Sequence, residues 1–116
     1  AAGLVYGALG SDTGGSIRMP ASLCGTVGLK PTYGRVSRSG VLDLSWSCDH
    51  VGPMTRNVTD TAHIMMAIAR HDPSDPTSSQ KPVPNFIDGL TTGFDGIRLG
   101  VPTSFFFDDV DNFHIF

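Results

Sequence analysis

The stretch Gly10-Ser-Asp-Thr-Gly-Gly-Ser16-Ile-Arg-Met-Pro20 constrains the fold of this chain more than any other segment. A short apolar run, Leu4 to Leu9, leads into it and reads as a buried strand over Val5–Leu9. Ile17 to Leu23 follows with helical character. Pro20 falls in the first helical turn, where a missing N–H costs nothing. Between the two runs lie Gly10, Gly14, Gly15 and the serine at the junction. Glycines let the backbone turn tightly and approach a ligand. A helix start leaves N–H groups without intrahelical partners, and these favour negative charge. The expectation is a strand, a loop over 12–16 and a short helix starting at Ser16. A serine so placed can attack a carbonyl while neighbouring N–H groups hold the oxyanion, which is half of an acyl-transfer site. The plainer alternative for Ser16 is a helix N-cap or turn serine.

Two rival motifs fail on chemistry. Gly10 and Gly15 have the spacing of a phosphate-binding P-loop, but Ser16 stands where that loop needs lysine. Asp12 would also place negative charge inside the cradle. The nucleophile elbow Gly-x-Ser-x-Gly is absent, because Ile17-Arg18 follows the serine. A serine nucleophile needs a base. His63, His71 and His114 read as surface or capping residues, with no metal-ligand spacing. His50, beside Asp49, is the one candidate for a Ser-His-Asp arrangement. Lys30 sits before Pro31 in a turn and reads as structural, so the base is expected outside this chain.

The 116 residues suffice for one modest domain with one core. With 40% apolar and 16% charged residues the chain reads as soluble and globular. A formal charge of −3 gives no reason to expect nucleic acid or an anionic membrane as a partner. No apolar run approaches the roughly 20 residues of a membrane helix. Cys24 and Cys48 match no metal pattern and read as reduced core residues, which, with no recognisable signal sequence at Ala1–Leu4, points to the cytoplasm. Both ends look cut, so the chain reads as an internal piece of a longer protein.

Further along, Thr26–Leu29 reads as a strand packed closely on another backbone. Lys30–Gly34 is a turn, Arg35–Ser37 an extended piece and Ser39-Gly40 a second turn. Ser45–Pro53 is expected to be loop with a short strand near Val51. Asn57–Arg70 is the clearest helix. Asn57 is its N-cap, and Asp60 follows in a capping-box position. Val58, Ala62, Met65 and Ala69 recur at helical spacing, with Ile64 and Ile68 widening the apolar face, and Arg70 and His71 complement the C-terminal dipole. A polar, proline-rich surface loop covers about 72–96. Ile97–Val101 is expected to be a strand ended by Pro102. Strands alternating with helices give an α/β fold, a mixed sheet covered by helices. Asn57-Val-Thr59 forms a glycosylation sequon that reads as a cap.

Three segments in this order resemble the amidase signature family: Gly10–Ala21, Cys24-Gly-Thr-Val-Gly-Leu-Lys-Pro-Thr-Tyr-Gly-Arg-Val-Ser37, and Asp49-His-Val-Gly-Pro-Met-Thr-Arg56. The resemblance runs in register from Ala1 to about Pro102. It implies that the chain is an internal fragment of a single amidase signature domain. By motif match Ser16 is the nucleophile. The backbone N–H groups of Thr13, Gly14, Gly15 and Ser16 form the oxyanion hole, and Asp12 and Arg18 fix the loop. The family's bridging serine, held by a cis peptide bond, and its lysine belong to segments ahead of this one, and Lys30 is not that lysine. A neutral lysine, its pKa lowered by burial, deprotonates the bridging serine, which takes the proton from the nucleophile. The chain alone is therefore expected to be inactive.

The implied partner is a small-molecule amide, with no cofactor and no metal, and the resemblance leaves room for a homodimer. The implied activity is cleavage of a carboxylic amide to acid and ammonia or amine. One alternative is the glutamine-hydrolysing A subunit of a tRNA-dependent amidotransferase. Another is an inactive fragment or binding module. The aromatic Ser45-Trp-Ser-Cys-Asp-His-Val-Gly-Pro53 segment and Met19 lean toward a general amidase. Trp46 is a candidate for lining the substrate pocket.

Overall fold

A computed structural model describes residues 1–101. Its elements are β1 (Gly7–Asp12), α1 (Arg18–Leu23), β2 (Val27–Gly28), β3 (His50–Thr55), α2 (Val58–Ile68) and a 3₁₀ turn at Asp88–Leu90. The sheet order is β1-β3-β2, and both pairings are antiparallel. Sheet and helices combine as expected, but the parallel component of a mixed sheet does not fall among the described residues. In β1 and β3 the register runs from Gly7 opposite Thr55 to Asp12 opposite His50.

Residue pattern and element agree best at α2. Asn57 has extended backbone, and its side chain accepts the Asp60 N–H at 2.8 Å while its amide donates to the Asp60 carboxylate at 2.9 Å. This is a reciprocal cap at the helix start. Ala62 and Met65 are buried, as their spacing implies, and Ala69 is buried just past the helix end. Val58 is 57% exposed and Thr61 takes its expected place inside, its hydroxyl bonded to that of Thr55 at 2.6 Å. Arg70 donates to the Ala67 carbonyl at 2.6 Å, closing the C-terminal end. One core cluster gathers Val36, Met65 and Ala69, with Leu29, Val51 and Phe86 packed against it.

Several expectations are corrected. α2 ends at Ile68 rather than Arg70, because Ala69 turns to extended backbone and bridges to Val36. β1 begins and ends later than Val5–Leu9: Leu4, Val5 and Tyr6 are exposed and Leu9 is 56% exposed, so the run is not buried. Pairing with β3 draws Gly10, Ser11 and Asp12 into the strand, against the turn preference of glycine. The helix starts at Arg18 rather than Ser16. Cys24 and Cys48 are exposed free thiols, not core residues. Ile97–Val101 forms no strand; Ile97, Leu99 and Val101 are exposed, with no neighbouring strand to pair with among the described residues. The strand near Val51 is the six-residue β3, the middle of the sheet, whereas the strand over Thr26–Leu29 shrinks to two residues. Pro102 and His114 lie outside the described residues. No helix among those described is long and apolar enough to cross a membrane.

Candidate active site

β1 delivers Asp12 into the interior and then gives way to the loop at 13–16. Asp12 is fully buried. One of its oxygens accepts the backbone N–H groups of Ile17 at 3.2 Å and Arg18 at 3.3 Å. Asp12 therefore does the capping of α1 from five residues upstream, and no side chain at the N-cap position itself does so. The same carboxylate receives the Arg18 guanidinium as a two-pronged fork, Nε at 3.0 Å and a terminal nitrogen at 3.1 Å. Arg18 is half exposed. Its fork is the largest cause holding the Asp12 carboxyl down at about 2, reinforced by the two N–H bonds and opposed by burial. Arg18 is pushed up in turn.

Between Asp12 and α1 the chain passes through Thr13, Gly14, Gly15 and Ser16. Gly15 has φ +148°, a conformation that residues with a side chain rarely adopt. Its carbonyl accepts the Met19 N–H at 2.8 Å, which ties the loop to the helix. Among the described residues, the N–H groups of residues 13–16 have no hydrogen-bond acceptor. Ser16 is exposed, and its hydroxyl also has no partner among those residues. Ser16 and Thr13 form one wall of a small recess of about 60 Å³; Leu42, Leu44 and His50 form part of the other.

The structure thus brings Asp12, Thr13, Gly14, Gly15, Ser16 and Arg18 together at the junction of β1 and α1. It does not assemble Ser16, His50 and Asp49 into a relay. The His50 ring bonds the Cys48 carbonyl through Nδ1 at 2.7 Å and packs edge-on against Tyr33 at 5.4 Å. Asp49 turns to other partners: it accepts the Thr13 hydroxyl on one oxygen and the Leu44 and Ser45 N–H groups, at 2.8 and 2.9 Å, on the other. These bonds, that of Thr13 foremost, hold its carboxyl below the usual range despite burial. Trp46 is exposed and does not line the Ser16 recess; its carbonyl accepts Arg38 at 2.7 Å and the Tyr33 hydroxyl at 2.8 Å. Cys48 lies at the surface, its thiol drawn below the ordinary range chiefly by the Ser45 and Ser47 hydroxyls. No group of three or more metal-ligating side chains occurs among the described residues.

Sequence reading missed Arg38 and the roles of Asp49 and Asp75. Arg38 is buried, stacks over the Tyr33 ring at 5.0 Å, and its N–H donates to Asp75 at 2.8 Å. Nothing in local periodicity marks these residues. Only the register of β1 on β3 could have found Asp49, because one step beyond its last pair, Asp12 opposite His50, sets position 49 opposite position 13.

A family model described as Amidase matches residues 1–113. The chain is similar to an amidase of Pseudomonas putida, 56% identical over 112 residues, which covers 96% of this chain and 24% of that protein. It is equally similar to the A subunit of the glutamyl-tRNA(Gln) amidotransferase of Moorella thermoacetica, at 57% identity over 106 residues, 91% of this chain and 22% of the relative. In three dimensions it resembles the native peptide amidase of Stenotrophomonas maltophilia, with TM-score 0.65 and 45% identity, covering 71% of this chain and 17% of the other. The chain spans about a quarter of the length of the sequence relatives.

Proposed function

The chain belongs to the amidase family, and we propose that it is the nucleophile-bearing segment of an amidohydrolase that cleaves a carboxylic amide through an acyl-enzyme on Ser16. The observation that carries this reading is the run of unpartnered N–H groups at residues 13–16 beside an exposed serine hydroxyl. Gly14 and Ser16 lie at the surface, so their amides are open to an incoming ligand. Backbone donors left free beside a nucleophile are what an oxyanion hole offers before substrate arrives.

In this reading the Ser16 hydroxyl adds to the amide carbonyl, and the carbonyl oxygen takes the developing charge against the 13–16 amides. The amine or ammonia leaves, and water releases the acid. Asp12 supports the geometry: by holding the Ile17 and Arg18 amides it fixes where α1 starts. The base comes from segments that family members carry ahead of this one, as the resemblance implies. The 116-residue chain alone, a fragment of a single amidase signature domain with a surface loop at about 72–96, then turns nothing over. The chemistry uses no metal or cofactor, the substrate is a small amide, and the protein acts in the cytoplasm, alone or as a homodimer.

The test is the longer protein that contains this chain, assayed on simple amides and treated with a serine-directed phosphonate. Ser16→Ala abolishes turnover and labelling, with a loss beyond the hundredfold or so of removing one oxyanion donor. Ser22→Ala, on the exposed side of α1, changes little. Wild-type turnover in Ser16→Ala, or a label on another serine, sinks the assignment.

A second reading has its own support, since the A subunits of glutamyl-tRNA(Gln) amidotransferases match as well as amidases do. In that case glutamine is the amide and ammonia passes to a partner. Glutaminase activity that appears only when the partner proteins are added selects it; hydrolysis of simple amides by the protein alone selects the first.

A further inference from the structure

We propose that Asp49 is a positioning residue for the 13–16 loop: its carboxylate grips the Thr13 hydroxyl and thereby sets the direction of the amides beside Ser16. This inference rests on the reading of Ser16 as nucleophile.

The placement follows from the sheet. Asp12 faces His50 in the last β1–β3 pair, so one further step in the same register sets Thr13 opposite Asp49. There the hydroxyl of Thr13 donates to one Asp49 oxygen. Asp49 is 5% exposed, and its other oxygen is taken by the Leu44 and Ser45 N–H groups. A carboxylate with all these donors is a rigid anchor, because rotating it breaks charge-assisted bonds.

The anchor is itself tied down. The Cys48 and Asp49 N–H groups both bond the Ser45 carbonyl at 2.9 Å, which closes the 45–49 turn on itself. Arg38 and Tyr33 converge on the Trp46 carbonyl within that turn. Arg38 is fixed in its turn by Asp75 and by Thr77, whose hydroxyl lies 3.2 Å from the guanidinium. The series from Asp75 through Arg38 and the 45–49 turn to Asp49 ends on Thr13.

The loop needs such a hold. Two adjacent glycines, Gly14 and Gly15, give it little stiffness of its own. Asp12 secures its far end at Ile17 and Arg18, and Asp49 secures its near end at Thr13. The donors at 13–16 are thus suspended between two carboxylates that do not face the recess as free charges, since each is saturated by donors. Oxyanion stabilisation depends on donors already aimed at the developing charge, so a slack near end lowers the rate of the chemical step more than it weakens substrate binding.

The experiment uses the longer protein with Thr13→Val, Thr13→Ser, Asp49→Ala and the Thr13→Val/Asp49→Ala pair. Steady-state kinetics on an amide and the rate of phosphonate labelling are measured for each. Thr13→Val and Asp49→Ala are expected to lower kcat by about 10- to 100-fold, with KM moving less than about threefold. Labelling slows in parallel. Thr13→Ser, which keeps the hydroxyl, returns kcat to within about threefold of the parent. The double variant is no worse than the more impaired single one, because both remove the same contact. Thr13→Val is close to isosteric, so it decides the matter even where Asp49→Ala does not fold. Unchanged kcat in Thr13→Val with the label on Ser16 overturns the positioning role alone. Effects that multiply in the double variant overturn it too. A label on a different serine overturns the Ser16 reading, and this one with it.

Discussion

Removing the Asp12 carboxylate should loosen the start of α1, and the loss can be worked from its contacts. Asp12→Ala deletes the acceptor for the Ile17 and Arg18 N–H groups. Ile17 is completely buried, so its amide cannot turn to water instead. Loss of a helix cap costs about 1 kcal/mol, and an orphaned buried donor raises this to about 2 kcal/mol. The Arg18 fork adds little to the sum, because Arg18 is half exposed and rehydrates when released. About 2 kcal/mol corresponds to roughly a 30-fold rise in local opening. Hydrogen–deuterium exchange of the peptide spanning residues 17–23, measured in the longer protein, reads that opening directly without requiring two-state unfolding. Arg18→Ala should change the same peptide much less, since the carboxylate stays in place over the two amides. If exchange in Asp12→Ala rises less than about threefold, the capping argument is wrong. If Arg18→Ala costs as much as Asp12→Ala, the ion pair, not the cap, holds α1.

Two other consequences follow from the same contacts. Asp12, Asp49, Asp72 and Asp75 all have carboxyls held below their ordinary value, that of Asp12 at about 2. Depressed folded values mean stability that is complete above the unfolded carboxylate range and is lost as pH falls from about 4 through about 2; a melting temperature that stays level across that window contradicts the sign. Gly52→Ala should cost about 3 kcal/mol or leave the protein insoluble, because a Cβ there runs into the Leu29 carbonyl and comes within 2.9 Å of Pro31. Gly14→Ala, with nothing within 4 Å of the added carbon, is the matched control in urea denaturation, and equal midpoints for the two would remove the steric argument.

Local rules were enough wherever the partners lie within a few residues of one another. The Asn57–Asp60 cap and the burial of Ala62 and Met65 follow from spacing on one helix. The strand–loop–helix order around Ser16 follows from the apolar run and the paired glycines, and three ordered motifs carried the family. Boundaries and burial were beyond such rules. Whether Gly10–Asp12 is turn or strand depends on β3, some forty positions away, and its pairing overrides glycine's preference. Cys24, Cys48 and the run from Leu4 to Tyr6 look like core by composition, yet no described element covers them. Asp12 was legible as a neighbour of the serine, but not as the cap of α1. The Thr13–Asp49 contact, whose partners are 36 positions apart, leaves no periodic trace in the chain. Short-range chemistry is written in the order of residues, whereas a contact across a sheet exists only after register has brought two distant positions face to face.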